Sequence, residues 1–244
     1  MELETREQKL YSESSKVNQN LTKLKISRNE IGAEGTKPLW QSLKVNQALA
    51  KLDLSRNEIG AEGVESLSES LKVNQGLTDL KLNRNENGVE GMKAFGESLK
   101  SNQSLTKLDL SRNGIGAEGT KPLWQSLKVN QALATLKLSH NGIGTEGTEP
   151  LWQSLKVNQT LAKLNLANNG IGSKDTKVAH QENVQELLQS LKINTSLVKL
   201  HFDGNTINKK DLNQMNNLIK RNNYFQKHLT KSAKEGNLSK NSKN

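Results

Sequence analysis

The chain has no cysteine in its 244 residues, which excludes a disulfide framework and a thiolate metal site. Aromatic residues make up 3% and hydrophobic residues 32%, little for the thick core of a compact globule of this length. No apolar run approaches the length of a bilayer span. The opening Met-Glu-Leu-Glu-Thr-Arg-Glu has no apolar centre, so no secretory leader is expected. His140, His180, His201 and His228 are scattered without metal-ligand spacing. The glycines do not form a phosphate-binding loop, and no G-x-S-x-G nucleophile motif occurs. The expectation is a non-enzymatic cytoplasmic protein with no cofactor and no metal.

What is present is repetition. Leu21, Leu49, Leu77, Leu105, Leu133 and Leu161 open units spaced 28 residues apart, and a seventh opens at Leu197, 36 residues on. A fixed period of this size is the mark of a solenoid, whose narrow interior needs few apolar residues. In the fourth unit Leu105, Leu108 and Leu110 alternate with Lys107, Asp109 and Ser111, the period-two pattern of a half-buried strand. Asn113 follows, in register with Asn29, Asn57, Asn85, Asn141, Asn169 and Asn205. An asparagine at every turn can bond the backbone of the neighbouring coil. Ile115 points back inside, and Leu123 and Leu127 share one helical face. Asn130 and its equivalents Asn46, Asn74, Asn102, Asn158 and Asn194 are expected to end each helix in the left-handed conformation. Pro38, Pro122 and Pro150 are placed in first helical turns.

The pattern L-x-x-L-x-L-x-x-N-x-I-G with a helical second half resembles the leucine-rich repeat. Its nearest subclass is the ribonuclease-inhibitor-like one, also found in nucleotide-binding innate-immunity receptors and the Ran GTPase-activating protein. The resemblance covers about Leu21 to Asn222. It implies an α/β right-handed solenoid, an arc with a parallel sheet on the concave side and helices on the convex side. It also implies protein binding. The expected organisation is a half-repeat helical cap over 1–20, seven repeats over 21–208, a cap helix over 209–225 and a disordered basic tail over 226–244. Two units depart from the pattern. Unit three carries Asn87 where isoleucine belongs, Phe95 in place of leucine and Ser101 in place of valine. Unit six holds eight extra residues near Val178–Gln185, read as a longer helix or a bulge on the outer side. Sequons at Asn20, Asn102, Asn158, Asn194 and Asn237 are read as by-products of the repeat.

The polar strand positions form rows about 5 Å apart. One row is Lys23, Lys51, Asp79, Lys107, Thr135, Lys163 and Lys199, and the next is Lys25, Asp53, Lys81, Asp109, Lys137, Asn165 and His201. Units two to four alternate in sign, which predicts a self-neutralising ladder. The row at the strand ends differs: Arg28, Arg56, Arg84 and Arg112 run with no acid among them and continue into His140. Stacked guanidiniums call for an acidic group, and arginine meets carboxylate and phosphate through two parallel bonds. The candidate partner-binding residues are therefore Arg28, Arg56, Arg84, Arg112 and His140, with Lys25, Lys81, Lys137, Lys51, Lys107 and Lys163. Trp40, Trp124 and Trp152 are expected to cover the seams between helices, with an outer docking patch as the alternative. The leading functional expectation is a monomeric scaffold for a protein partner with an acidic surface. Binding of a polyanion, nucleic acid or acidic lipid, is the second; without aromatics in the concave rows to stack bases, nucleic acid is disfavoured. Ran-type GTPase activation, which the resemblance brings in, is the third; no single arginine can be matched to the catalytic one, since the arginines recur at one repeat position.

Overall fold

A computed structural model describes residues 19–172 and 177–241. Side chains are described over 19–172 and 181–228. The expected N-terminal cap therefore lies almost wholly outside the described residues.

Each unit gives a three-residue strand followed by a helix. The strands are β1 (Lys23–Lys25), β2 (Lys51–Asp53), β3 (Asp79–Lys81), β4 (Lys107–Asp109), β5 (Thr135–Lys137), β6 (Lys163–Asn165) and β7 (Lys199–His201). They form one parallel sheet in sequence order, with the leucines in register from Leu24↔Leu52 to Leu164↔Leu200. The helices are α1 (Gly32–Leu43), α2 (Gly60–Leu71), α3 (Gly88–Ser101), α4 (Gly116–Leu127), α5 (Glu149–Val157), α6 (Lys177–Ile193) and α7 (Lys209–Asn241). Period two places Leu80 and Leu82 inside and Asp79 and Lys81 outside. Period 3.6 places Leu67 and Leu71 on the facing side of their helix. All four leucines are fully buried.

Two asparagine ladders bind the coils together. In the first, the amide of Asn57 donates to Asn85 Oδ1 at 2.7 Å, while Asn57 Nδ2 donates back to Ile26 O at 2.8 Å and to its own coil's Leu54 O at 3.0 Å. The series runs from Asn29 to Asn205. In the second, Asn74 Nδ2 donates to Leu43 O and Asn46 O, and its Oδ1 accepts from the amides of Gly76 and Leu77. The left-handed expectation for this second series is wrong. Asn102 and Asn158 are extended, with φ −74° and −75°, because the chain leaves the helix directly into the next strand and the side chain bonds the coil before it. Asn102, Asn158 and Asn194 are fully buried in this ladder, so three of the five sequons are closed to glycosylation.

Pro38 and Pro122 also depart from expectation. They lie inside α1 and α4, and only Pro150 sits in a first turn. The helices begin at the turn glycine, earlier than placed from the proline. A proline withholds a donor from the carbonyl four residues back. That residue is Glu34 or Glu118, both exposed, where water can take the donor's place.

Trp124 and Trp152 are 0% exposed and Trp40 is 1% exposed. They fill the seams between neighbouring helices, so the outer docking patch is ruled out. Gly96 occupies the same repeat position in α3, and a Cβ there would come within 2.5 Å of Pro122 Cβ. The α3–α4 seam is thus closed by backbone approach where others are filled by indole. Trp124 Nε1 donates to Gly147 O at 2.6 Å, and residues 144–148 form turns before α5 begins. Trp40 Nε1 finds no partner.

The extra residues of unit six enter partly as helix: α6 begins ten residues before Leu187, where α4 begins seven before Leu123. Residues 173–176 lie outside the described residues. At the C-terminal end, Asn208 Oδ1 accepts from Asp211 N and Asn208 Nδ2 donates to Asp211 Oδ2, a reciprocal cap that starts α7. Arg221 donates to Leu191 O, Lys192 O and Asn194 O, and Asn222 continues the second ladder onto Asn194 O. These side chains cover carbonyls that a further coil would otherwise take. The helical backbone then runs on to Asn241, so the boundary drawn at 225, with disorder beyond it, does not match a break in secondary structure.

Candidate functional site: the charged sheet face and its arginine rim

The sheet face is built as the alternation requires. Lys51 lies opposite Asp79 and Asp79 opposite Lys107, with Asp53 opposite Lys81 and Lys81 opposite Asp109. One of these contacts closes into an ion pair, Lys81 with Asp53 at 3.2 Å, and so does the next along the row, Lys137 with Asp109 at 3.3 Å. In each, the aspartate takes the lysine of the following coil. Asp79 makes none among the described residues, and nothing in the structure explains why. The ladder is therefore only partly realised, in the second row and not the first.

The Asp53 carboxylate is fixed further by Ser55, whose hydroxyl donates at 2.6 Å and whose amide donates at 3.2 Å. Burial pushes this carboxyl up, but the Ser55 bonds and Lys81 together outweigh it. The group is held below its ordinary value. Lys25, Lys51, Lys107 and Lys163 are exposed, and no described acid lies within ion-pair distance of them. The candidate lysines thus divide into two that are tied down and four that are available.

The arginine row lies at the rim where the strands leave the sheet, three residues past the last strand position. Its backbone continues the inter-coil ladder: Arg28 N donates to Ser55 O, Arg56 N to Asn83 O, Arg84 N to Ser111 O, Arg112 N to Ser139 O and His140 N to Ala167 O, all at 2.9–3.0 Å. The row is thereby pinned at the strand spacing. All five side chains are exposed. The φ angles of Arg28, Arg56, Arg84, Arg112 and His140 are 66°, 60°, 60°, 59° and 57°. This is left-handed backbone, which side chains with a Cβ adopt at a cost and which asparagine and glycine adopt readily. The last two coils use Asn168 and Gly204 at this position. Five earlier coils instead keep long basic or aromatic-ring side chains in an unfavourable conformation.

The electrostatics agree with an uncompensated row. Repulsion from Arg84 foremost, with loss of hydration and repulsion from Arg28, lowers the Arg56 guanidinium from its ordinary value. Arg112 Nη2 lies 3.1 Å from His140 Nε2, an arrangement in which a neutral imidazole accepts from the guanidinium. The structure thus brings together all five members of the predicted rim row. It separates them from the strand lysines, which belong to the sheet proper.

Sequence reasoning missed a second row. Glu30, Glu58 and Glu86 lie two residues beyond the first three arginines, are exposed, and have φ of 52°, 57° and 57°. Coils four to six place Gly114, Gly142 and Gly170 there, also left-handed. The signal was available: a repeat position filled by glycine in three of the seven copies marks left-handed backbone. The rim is thus two-signed over units one to three and purely basic around Arg112 and His140. Among the described residues no group of side chains has the makings of a metal site, and no helix is long and apolar enough to cross a membrane.

A leucine-rich repeat signature matches residues 17–39, 45–68, 101–123, 129–151 and 157–175, and the chain belongs to the leucine-rich repeat family. No protein of curated function matches its sequence. Among solved structures it is similar to leiomodin-1 actin-binding site 2, at 22% identity and TM-score 0.60, over 70% of this chain and 95% of that one. It is also similar to the tropomodulin C-terminal domain of Caenorhabditis elegans, at 16% identity and TM-score 0.60, over 70% of this chain and 98% of that one. The leucine-rich repeat protein LegL7 of Legionella pneumophila shares 19% identity at TM-score 0.53, over 83% of this chain and 64% of that one. At these identities the likeness is one of fold.

Proposed function

We propose that this chain is a non-enzymatic scaffold of the cytoplasm that binds a protein partner on its concave sheet face. The rim row Arg28, Arg56, Arg84, Arg112 and His140 meets acidic groups of that partner. The observation that carries the reading is the retention of four arginines and a histidine in left-handed backbone, exposed and free of acids in their own row. Local stability would favour asparagine or glycine there, so the side chains serve something other than the fold. The available lysines Lys25, Lys51, Lys107 and Lys163 extend the basic surface across the sheet, while Lys81 and Lys137 are held by aspartates.

The test is affinity capture on the immobilised full chain, read by mass spectrometry, against an Arg84→Glu/Arg112→Glu variant. Glutamate already occupies left-handed backbone at Glu30, Glu58 and Glu86, so the reversal is tolerated by the fold. The expected result is loss of the captured partner. Capture that survives the double reversal refutes the rim as the binding surface. Actin supplies a direct trial, because an actin-binding site is built on this fold in leiomodin-1: cosedimentation with filaments should be abolished by the same variant if actin is the partner. A polyanion binder would behave differently. Its log affinity would fall linearly with log salt, and any duplex would compete.

A further inference from the structure

We infer that the rim of units one to three is a self-complementary charge strip through which two copies of this chain associate. Arg28, Arg56 and Arg84 form one row and Glu30, Glu58 and Glu86 a second, parallel one, displaced by two residues. Both rows repeat once per coil. The turn that carries them is pinned at both ends: each arginine amide bonds the next coil, and Gly32, Gly60 and Gly88 donate to Asn57 O, Asn85 O and Asn113 O at 2.8–3.1 Å. The spacing along the two rows is therefore the same, fixed by the backbone ladder.

Two parallel rows of opposite sign and equal spacing match a second copy about a two-fold axis that lies in the plane of the strip and runs along the rows. Place that axis midway between the two rows. Arg28 then faces Glu30 of the second copy, Arg56 faces Glu58, Arg84 faces Glu86, and the reciprocal contacts follow by symmetry. An isologous interface requires this kind of self-match. Few foreign surfaces present two charged rows at the one-coil period; a second solenoid of the same sequence does so without adjustment.

Three features single out these six residues. All six are non-glycine residues in left-handed backbone. All six are exposed. Within the chain, no arginine of the row lies within ion-pair distance of a glutamate of its neighbour row, whereas several helix-surface glutamates are paired, as Glu69 is with Lys72 and Glu97 with Lys100. The charges of the strip are thus unused by the monomer. In unit four Gly114 takes the glutamate place, which ends the strip and sets its register. Exposed ion pairs contribute little each and are screened by salt, so the association is weak and favoured at low ionic strength. It also covers Arg28, Arg56 and Arg84, leaving only Arg112 and His140 of the row, so self-association and partner binding exclude one another over these coils.

Sedimentation velocity of the full chain over a concentration series tests this. At an ionic strength of about 10 mM, where the Debye length is roughly 30 Å, the weight-average sedimentation coefficient should rise with concentration towards that of a dimer. At about 1 M salt, where it is roughly 3 Å, the rise should vanish. Arg28→Glu/Arg56→Glu/Arg84→Glu makes the strip wholly acidic, and Glu30→Arg/Glu58→Arg/Glu86→Arg makes it wholly basic. Each variant alone should stay monomeric at low salt, and an equimolar mixture should associate again. Circular dichroism checks that both are folded. A wild-type chain that remains monomeric at low salt overturns the proposal. So does a reversed variant that associates like wild type, or a mixture of folded variants that does not associate. None of these outcomes bears on capture of a foreign partner by Arg84 and Arg112, which is read separately.

Discussion

Asn87→Ile should stabilise the protein. Asn87 stands at the inward position that Ile59 and Ile115 occupy in the coils on either side, and all three are 0% exposed. Neither Asn87 Oδ1 nor Nδ2 has a hydrogen-bond partner. The backbone does not require asparagine: φ and ψ are −61° and −27° at Asn87, against −62° and −32° at Ile59 and −67° and −36° at Ile115. The new side chain has a place to go. Elsewhere the inward isoleucine packs on the glycine four residues later, so closely that a Cβ on Gly119 would come within 2.7 Å of Ile115 Cγ2. At Gly91 a Cβ would meet Ala61 and Val64 first, and no atom of Asn87 is among its nearest neighbours, leaving that side of the glycine for an isoleucine to cover. Removing an unsatisfied buried amide is worth about 1–3 kcal/mol. The check is the urea midpoint at neutral pH, with the slope of the transition compared to show that the unfolded state is unchanged. Asn87→Ala serves as a companion, since it removes the amide without filling the space and should recover only part of the gain. A midpoint for Asn87→Ile that is unchanged or lower would refute the reasoning, because it would mean the amide is satisfied in solution.

Asp53 gives a pH prediction. Its folded value lies below the ordinary one, so its contribution is present above the unfolded carboxylate value and is lost as pH falls through the folded value. Asp53→Asn should keep the fold, because Asn165 fills the same repeat position in coil six and accepts from Ala167 N at 2.9 Å; the drop in urea midpoint on acidification below about pH 4 should be smaller than in wild type, and an equal drop would show that Asp53 carries none of the acid sensitivity. The tryptophans give a differential one. Trp124→Phe removes the short bond to Gly147 O, leaving it only the 3.4 Å contact from Thr120 Oγ1, whereas Trp40→Phe removes a buried N–H that has no acceptor, so Trp124→Phe should cost about 1–3 kcal/mol more than Trp40→Phe, and equal thermal or urea losses would contradict the pairing.

Much of this protein is local, and what is local was legible in its sequence. The 28-residue period, the alternation around Leu108 and the Leu123/Leu127 pair each follow from residues close together in the chain, and a solenoid repeats its short-range geometry. Asn87 was marked as an error by comparison with its own repeats, since every coil supplies a template for the next. The rows Arg28 to His140 and Lys51 to Asp79 were placed correctly because one period of sequence is one strand of sheet. The tertiary structure decided what depends on two coils at once. Trp40 and Trp124 have the same flanking sequence, yet only Trp124 finds a carbonyl, since the indole reaches across to a neighbouring coil that differs. Asn102 turned out to be extended because its side chain is bound to the coil before it. Proline alone could not date the helix starts, because a turn pinned by the neighbouring coil nucleates the helix earlier. The left-handed rim lay half in view: Gly114, Gly142, Gly204 and Asn168 announce that backbone, but that Arg56 and Glu58 share it follows only from the inter-coil bonds that hold each turn to the next.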